Sequence, residues 1–263
     1  MPHLQEVWEK NHSKGLRVFA VEGDGFTALE NYAFAGENKY TFPLVTLADS
    51  QLSSWDCKTM PNTFVINADG KLVFSASEGW DEVVTKELAK RVYPGLKRDK
   101  VEKECEKAAQ AYGKGEYAKA LELAKAVIDA APGEKAQADA QFISDATQAL
   151  STSLRSTADA AKTEKRFEDC LVALDRLALG FKGTPEGDAA GEEAKDLRKD
   201  KDAKREISAW QALAKALESN KKAKGKIEKA KALRAVQKAN EGTAAGAKAR
   251  EVASAIEGSK MYR

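Results

Sequence analysis

Residues 59–70 read TMPNTFVINADG, and the reading of this stretch decides the expected fold. Pro61 stands just ahead of a β-prone run over residues 63–66; a turn at Asn67-Ala68-Asp69-Gly70 follows, and residues 71–74 form a second apolar run. Asp-Gly between two such runs predicts a β-hairpin, because the turn needs residues that accept positive φ. A proline at the head of a strand cannot donate a ladder hydrogen bond. Pro61 therefore either starts the strand or holds a special turn, with a cis bond as one option and an ordinary trans loop proline as the other.

The flanking segments give an order of elements. Leu4, Val7 and Trp8 recur at helical spacing, and Pro2 and Gly15 bracket a helix over residues 2–14. Residues 16–21 form an apolar run without alternation, the pattern of a strand buried on both faces, and Gly23-Asp24-Gly25 is its turn. Thr27 is a candidate N-cap for a second helix reaching about residue 35, with Glu30 its capping-box partner. Residues 42–49 read as an approach loop and short strand, and residues 82–92 as a closing helix. The expected order is α-β-α-β-β-β-α, which a right-handed crossover restricts to a few α/β topologies.

Residues 1–93 resemble the thioredoxin-like domain of the TlpA-like thiol-disulfide oxidoreductases. Met1-Pro2-His3-Leu4 is similar to the MPxL that follows the family's CxxC, residues 18–21 to the next strand, and Phe42-Pro43-Leu44 with Asp49 to its FPxxxD approach. Trp55 through Ile66 sits where the family has its aromatic residue, cis-proline and following strand, and Asn67 through Lys71 resembles its hairpin turn. The resemblance implies a cis Pro61 and a substrate-binding loop in which Met60 and Pro61, flanked by Thr59 and Asn62, present backbone to a protein or peptide substrate. It also implies an extracytoplasmic, periplasmic location, and no cofactor.

The departure is as informative. Family members carry a strand leading into CxxC at the first helix N-terminus, where the helix dipole lowers the thiol pKa. Neither the strand nor the dithiol occurs in this sequence. Without that strand, residues 16–21 and 63–66 would face an empty slot, at ~1–3 kcal/mol per buried unpaired backbone group. Two expectations follow: an upstream strand, CxxC and export signal in the natural protein, or a redox-dead remnant whose two strands pair directly. The chain as given is expected to have no catalytic residues and no dithiol turnover. Of the cysteines, Cys57 reads as an apolar contact near Pro61. Cys105 and Cys170 read as packing residues in Ala-rich helices, with a bridge between them left open.

Past Pro94-Gly95 the composition turns to Ala, Lys and Glu, which divides the chain into residues 1–94, a thioredoxin-like domain lacking its first strand, and residues 95–263, an all-α antiparallel array. The run AYGKGEYAKALELAKAVIDAAP resembles the second half of a tetratricopeptide repeat: Tyr117 follows the turn, Ala120 makes the tight contact, and Pro132 ends the helix. A related hairpin recurs 50 residues later, with Phe167 for Tyr117, Leu171 for Leu121, Leu174 for Ala124 and Leu177 for Val127. A second echo, at an offset of 59, matches Gly183-Thr184-x-x-Gly187 to Gly242-Thr243-x-x-Gly246. Stacked helix pairs of about 12 to 20 residues per helix are expected, with disorder in parts of residues 186–204, where charge dominates.

The formal net charge is +2, and the six lysines of residues 221–231 read as a solvated helix face rather than a nucleic-acid contact, since no aromatic or arginine interleaves them. Trp210, with Leu213 and Leu217, reads as core. Two histidines, His3 and His12, give too few ligands for a histidine-based metal site or triad. No apolar run is long enough to span a membrane. Two functions stand: a thioredoxin-like oxidoreductase family protein inactive in dithiol exchange as given, or a non-catalytic scaffold in which helical repeats bind an unidentified protein partner.

Overall fold

A computed structural model describes residues 1–23, 25–46, 60–260 and 262. The expected turn residue Asp24, and Asp49, Trp55, Cys57 and Thr59 of the family-like segments, lie outside the described residues. The chain divides into two compact units, one built from residues 1–12, 16–62 and 201–263, the other from residues 13–15 and 63–200.

The first unit joins the start of the chain to its last helices. Helix α1, Pro2–Asn11, opens with proline at its first position, where the missing N–H costs nothing. Its buried Gln5 donates to Thr41 Oγ1 at 2.8 Å and accepts from the Thr41 amide at 3.0 Å. Strands β1, Ala20–Glu22, and β2, Leu44–Thr46, pair in parallel with Ala20 opposite Leu44 and Glu22 opposite Thr46. Helix α2, Ala28–Asn38, is the crossover. The Thr27–Glu30 capping box forms as expected: Thr27 Oγ1 accepts from the Glu30 amide at 3.3 Å, and Glu30 Oε2 from the Thr27 amide at 2.7 Å.

Ala33 of α2 is fully buried among Leu213, Leu217, Leu233, Ala249, Val252 and Ile256, which come from α9, Lys201–Asn220, α10, Lys226–Ala239, and α11, Ala244–Gly258. Trp210 packs on this cluster, in line with its reading as core. Glu206, 5% exposed, accepts from the Ala244 amide with both oxygens at 3.2 and 3.0 Å. A carboxylate there satisfies an orphan donor and opposes the helix dipole.

In the second unit, β3, Thr63–Ile66, and β4, Leu72–Ala76, form the expected antiparallel hairpin. Asn67 Oδ1 accepts from the amides of Asp69 and Lys71, both at 3.0 Å, and Gly70 has φ +77°. This geometry is why an Asn-x-Asp-Gly turn closes the ladder. Helix α3, Trp80–Ala89, packs on the hairpin. Pro94-Gly95 lies within this unit, where Tyr112 Oη donates to the Gly95 carbonyl at 3.4 Å. The remainder is helical: α4, Glu106–Gly113; α5, Tyr117–Ala130; α6, Glu134–Thr163; α7, Phe167–Gly180; and α8, Pro185–Leu197.

These elements correct the expected fold class. Among the described residues of 2–89 the order α-β-α-β-β-β-α is as expected, yet the described strands make two separate two-stranded ladders, and 67% of the structure is helical. Residues 1–94 are therefore not a thioredoxin-like α/β domain. Among the described residues β1 bonds only to β2 and β3 only to β4. The apolar run at 16–21 yields only a three-residue strand, and Phe19 within the run is 65% exposed, so it is not buried on both faces. Proline limits it: the Ala20 amide donates to the Pro43 carbonyl at 2.9 Å, but Pro43 has no N–H with which to extend the ladder.

Three further expectations change. Helix α6 runs 30 residues, beyond the expected 12 to 20, because no Gly or Pro interrupts it. Residues 186–204, read as partly disordered, supply α8 and the start of α9; buried Ala190 and Ala194 anchor them. Lys229, from the lysine run read as solvated, is 13% exposed and bonded to Glu37 at 2.6 Å.

Candidate functional site

The residues expected to bind substrate lie at the entrance to the hairpin. The Met60–Pro61 peptide bond is cis. Met60 is 66% exposed, Pro61 is exposed and Asn62 half-buried, while Thr59 lies outside the described residues. No hydrogen-bonded strand joins this loop to the β1–β2 pair among the described residues. A separate shallow groove of about 470 Å³ runs between Asn31, Tyr32 and Ala35 of α2 and Leu44, Val45 and Thr46 of β2. Its floor is tied by Asn31 Nδ2, which donates to Thr46 Oγ1 at 2.8 Å.

Neither described thiol is placed for chemistry. Cys105 and Cys170 are free and fully buried. Burial first, and then the nearby carboxylates of Asp139, Glu104 and Glu102, push the Cys105 thiol up. Its Sγ donates to the Ala136 carbonyl at 3.2 Å. Burial likewise raises Cys170. A nucleophilic thiol needs the opposite, an exposed site that favours thiolate. No group of three or more His, Cys, Asp or Glu able to hold a metal occurs among the described residues. No helix among them is long and apolar enough to cross a membrane.

The most ordered constellation is instead a repeated helical corner. Between α4 and α5 the Glu116 amide donates to Ala111 O at 3.0 Å, the Lys114 amide to Gln110 O at 3.0 Å, and the Gly115 amide to Tyr112 O at 2.9 Å. Fifty residues on, between α6 and α7, Arg166 donates to Ala161 O at 2.8 Å, Glu164 to Ala160 O at 3.0 Å and Lys165 to Lys162 O at 3.0 Å. Gly115 has φ +79° and its counterpart Lys165 φ +56°; Glu116 and Arg166 share ψ near 62° and 64°. Helices α5 and α7 are each 14 residues long, and their counterparts Ala120 and Cys170 are both fully buried. Tyr117 packs on both halves of this core, with its ring 5.3 Å from that of Phe181. Gly180 leaves the room: a Cβ there would lie 2.4 Å from Tyr117 Cδ2.

The 59-residue echo is also structural. Thr184 and Thr243 have φ −100° and −98°, and their hydroxyl oxygens accept from the Gly187 and Gly246 amides at 3.2 and 3.0 Å. Each hydroxyl also donates backward, to Phe181 O at 2.8 Å and to Asn240 O at 2.7 Å. One threonine thus caps the new helix and closes the old one.

An ionic clip joins α6 to α8. Arg155 Nη1 and Lys162 Nζ donate to Glu193 at 2.6 and 2.7 Å, and Arg155 also pairs with Asp159. The Arg155 hydrogen bond, aided by Lys162, outweighs burial and lowers the Glu193 carboxyl to about 2.

The two 14-residue helices differ inside, with Leu174 for Ala124 and Leu177 for Val127, and they also differ on the outside. Val172 and Leu179 of α7 are 57% and 82% exposed, seven residues apart on one face. The equivalent positions of α5 are the exposed Glu122 and Asp129. The sequence pattern through Leu174 and Leu177 traces the buried stripe, and Val172 and Leu179 lie off it. The offset of 50 carried the signal, since two acidic positions of the first copy become apolar in the second.

No protein-family model, curated protein or solved structure matches the chain.

Proposed function

We propose that this chain is a non-catalytic scaffold that binds a protein partner through its helical hairpins, with the outward face of α7 as the contact. The observation that carries the reading is that Val172 and Leu179 stand where Glu122 and Asp129 stand on a helix of equal length after the same corner. A solvated face needs no valine or leucine there, whereas a helix presenting apolar anchors at i and i+7 suits partner contact. The burial of both described thiols supports a binding rather than a thiol-chemical role.

The test places the α5 residues on α7 as Val172→Glu with Leu179→Asp and compares both chains by cross-linking in cells that make the protein. The wild-type chain should give a discrete cross-linked species that the double variant loses with no change in circular dichroism. Equal cross-linking by both chains, or any disulfide-reductase turnover, would sink the reading. Peptide contact at Met60, Pro61 and Asn62 is a second reading, supported by the exposed side chains of Met60 and Pro61.

A further inference from the structure

We propose that α9, α10 and α11 form a helix-docking groove in which α2 is an exchangeable occupant, and that the groove accepts the α2 segment of a second copy of this chain. This concerns the first unit and does not depend on the α7 reading.

The seam between α2 and the groove is built unlike the core beneath it. Four residues of α2 are buried, Glu30, Asn31, Ala33 and Glu37, and only Ala33 is apolar. With α2 in place the groove helices bury Leu213, Leu217, Leu233, Val252 and Ile256, each at most 2% exposed, and α2 adds Ala33 and the half-buried Leu29 to the same cluster. Apolar burial drives folding in proportion to area, and most of the large apolar side chains of this cluster come from the three groove helices rather than from α2.

What α2 supplies is recognition. Gly36 admits Leu217 so closely that a Cβ on Gly36 would sit 2.7 Å from Leu217 Cδ1. One turn of side chains around it is set by charge: Glu37, 7% exposed, takes Lys229 Nζ at 2.6 Å, and Lys39 pairs with Glu218 at 2.8 Å across the rim. Tyr262 Oη reaches the Glu30 carbonyl at 3.5 Å, and the Lys229 ammonium lies 4.9 Å from the Tyr262 ring centroid. A buried ion pair fixes register more than it stabilises. Glu37 Oε1 is moreover buried with no hydrogen-bond partner among the described residues, a cost borne by the docked state alone. Small residue, glycine and acid at Ala33, Gly36 and Glu37 therefore form a readable code on a helix whose buried residues are mostly polar. Exchange of such an element between identical chains is a low-cost route to association, and local opening selects elements with few buried apolar contacts.

The probe is a fluorescein-labelled peptide of residues 26–41, titrated into the full chain and into full chain carrying Gly36→Leu, which expels its own α2. The variant should bind the peptide at least tenfold more tightly than the wild type, whose groove is already filled in cis at high effective concentration. Adding Lys229→Glu to the variant should weaken binding at least tenfold, and a Glu37→Lys peptide should recover it. Hydrogen exchange of the wild type should show α2 amides opening before those of α9, α10 and α11. Equal affinity of both chains for the peptide, or a charge reversal that no peptide rescues, overturns the proposal. So does a Gly36→Leu chain that fails to fold, or α2 exchanging only together with the three groove helices, since either outcome makes α2 an integral core helix.

Discussion

Gly36 of α2 meets Leu217 of α9 at a separation that leaves no space for a methyl group: an added Cβ would stand 2.7 Å from Leu217 Cδ1 and 2.9 Å from its Cβ. Glycine within a helix ordinarily costs up to about 1 kcal/mol relative to alanine. Gly36→Ala therefore gains propensity but forces overpacking, at about 1–3 kcal/mol, and should destabilise on balance by about 1 kcal/mol. Gly191 of α8 is the control, since its added Cβ would meet only Ala178 Cβ at 3.6 Å. Gly191→Ala should stabilise by up to about 1 kcal/mol. Urea unfolding of the two variants checks the opposite signs.

The threonine corners allow a sharper contrast. A Cβ on Gly187 would lie 2.1 Å from the Phe181 carbonyl oxygen, and one on Gly246 2.2 Å from that of Asn240. Backbone cannot swing aside as a side chain can, so Gly187→Ala and Gly246→Ala should each cost about 3 kcal/mol, well above the roughly 1 kcal/mol expected for Thr184→Ala from loss of an N-cap. In the other repeated corner, Lys165 holds φ +56° where its counterpart is Gly115. Lys165→Gly should stabilise by about 0.5–1 kcal/mol by removing a left-handed non-glycine. Thermal unfolding of the four variants tests this ranking.

Much of the local structure was legible because its causes are local. Thr27 and Glu30 announce a capping box three residues apart, Asn67 through Gly70 announce their turn, and the 50- and 59-residue offsets announce corners that close with the same hydrogen bonds. Sheet assembly was not legible, because pairing is non-local: an apolar run at residues 16–21 does not say which strand it will meet, and Pro43 cuts its ladder short. Nor could Gly36 or Lys229 be understood where they stand. Their meaning comes from Leu217 and Glu37, distant in sequence and adjacent in space. Leu179 lay in plain view, but its exposure shows only once its neighbours Leu174 and Leu177 are seen to face inward.

Thiol accessibility follows from burial. Cys105 and Cys170 are 0% exposed and both are shifted toward the protonated form. In the native protein both should resist iodoacetamide at neutral pH and react within minutes once urea unfolds the chain, as read by peptide mass mapping. The sequence has no CxxC, and neither described thiol is exposed, so insulin-disulfide reduction by the chain should stay at the uncatalysed rate. Rapid native labelling of either residue would contradict the packing of α4 and α7.

Acid sensitivity should be concentrated at Glu193. Its carboxyl, hydrogen-bonded first by Arg155 and then by Lys162, titrates near 2 in the folded chain, against an ordinary value of 4.5. A folded pKa below the unfolded one means that the unfolded state binds the proton first. The contribution is therefore complete above about pH 4.5 and is lost as pH falls toward about 2. Arg155 is 42% exposed and water weakens the pair, so Glu193→Gln should cost about 1–2 kcal/mol at pH 7 rather than the larger figure the full shift would give. Below pH 2 the variant and the wild type should converge, because the protonated carboxyl and the amide then present the same charge to Arg155. Urea midpoints of both proteins between pH 7 and pH 2 check this, and a gap that stays constant across that range would show that the clip acts through packing and not through charge.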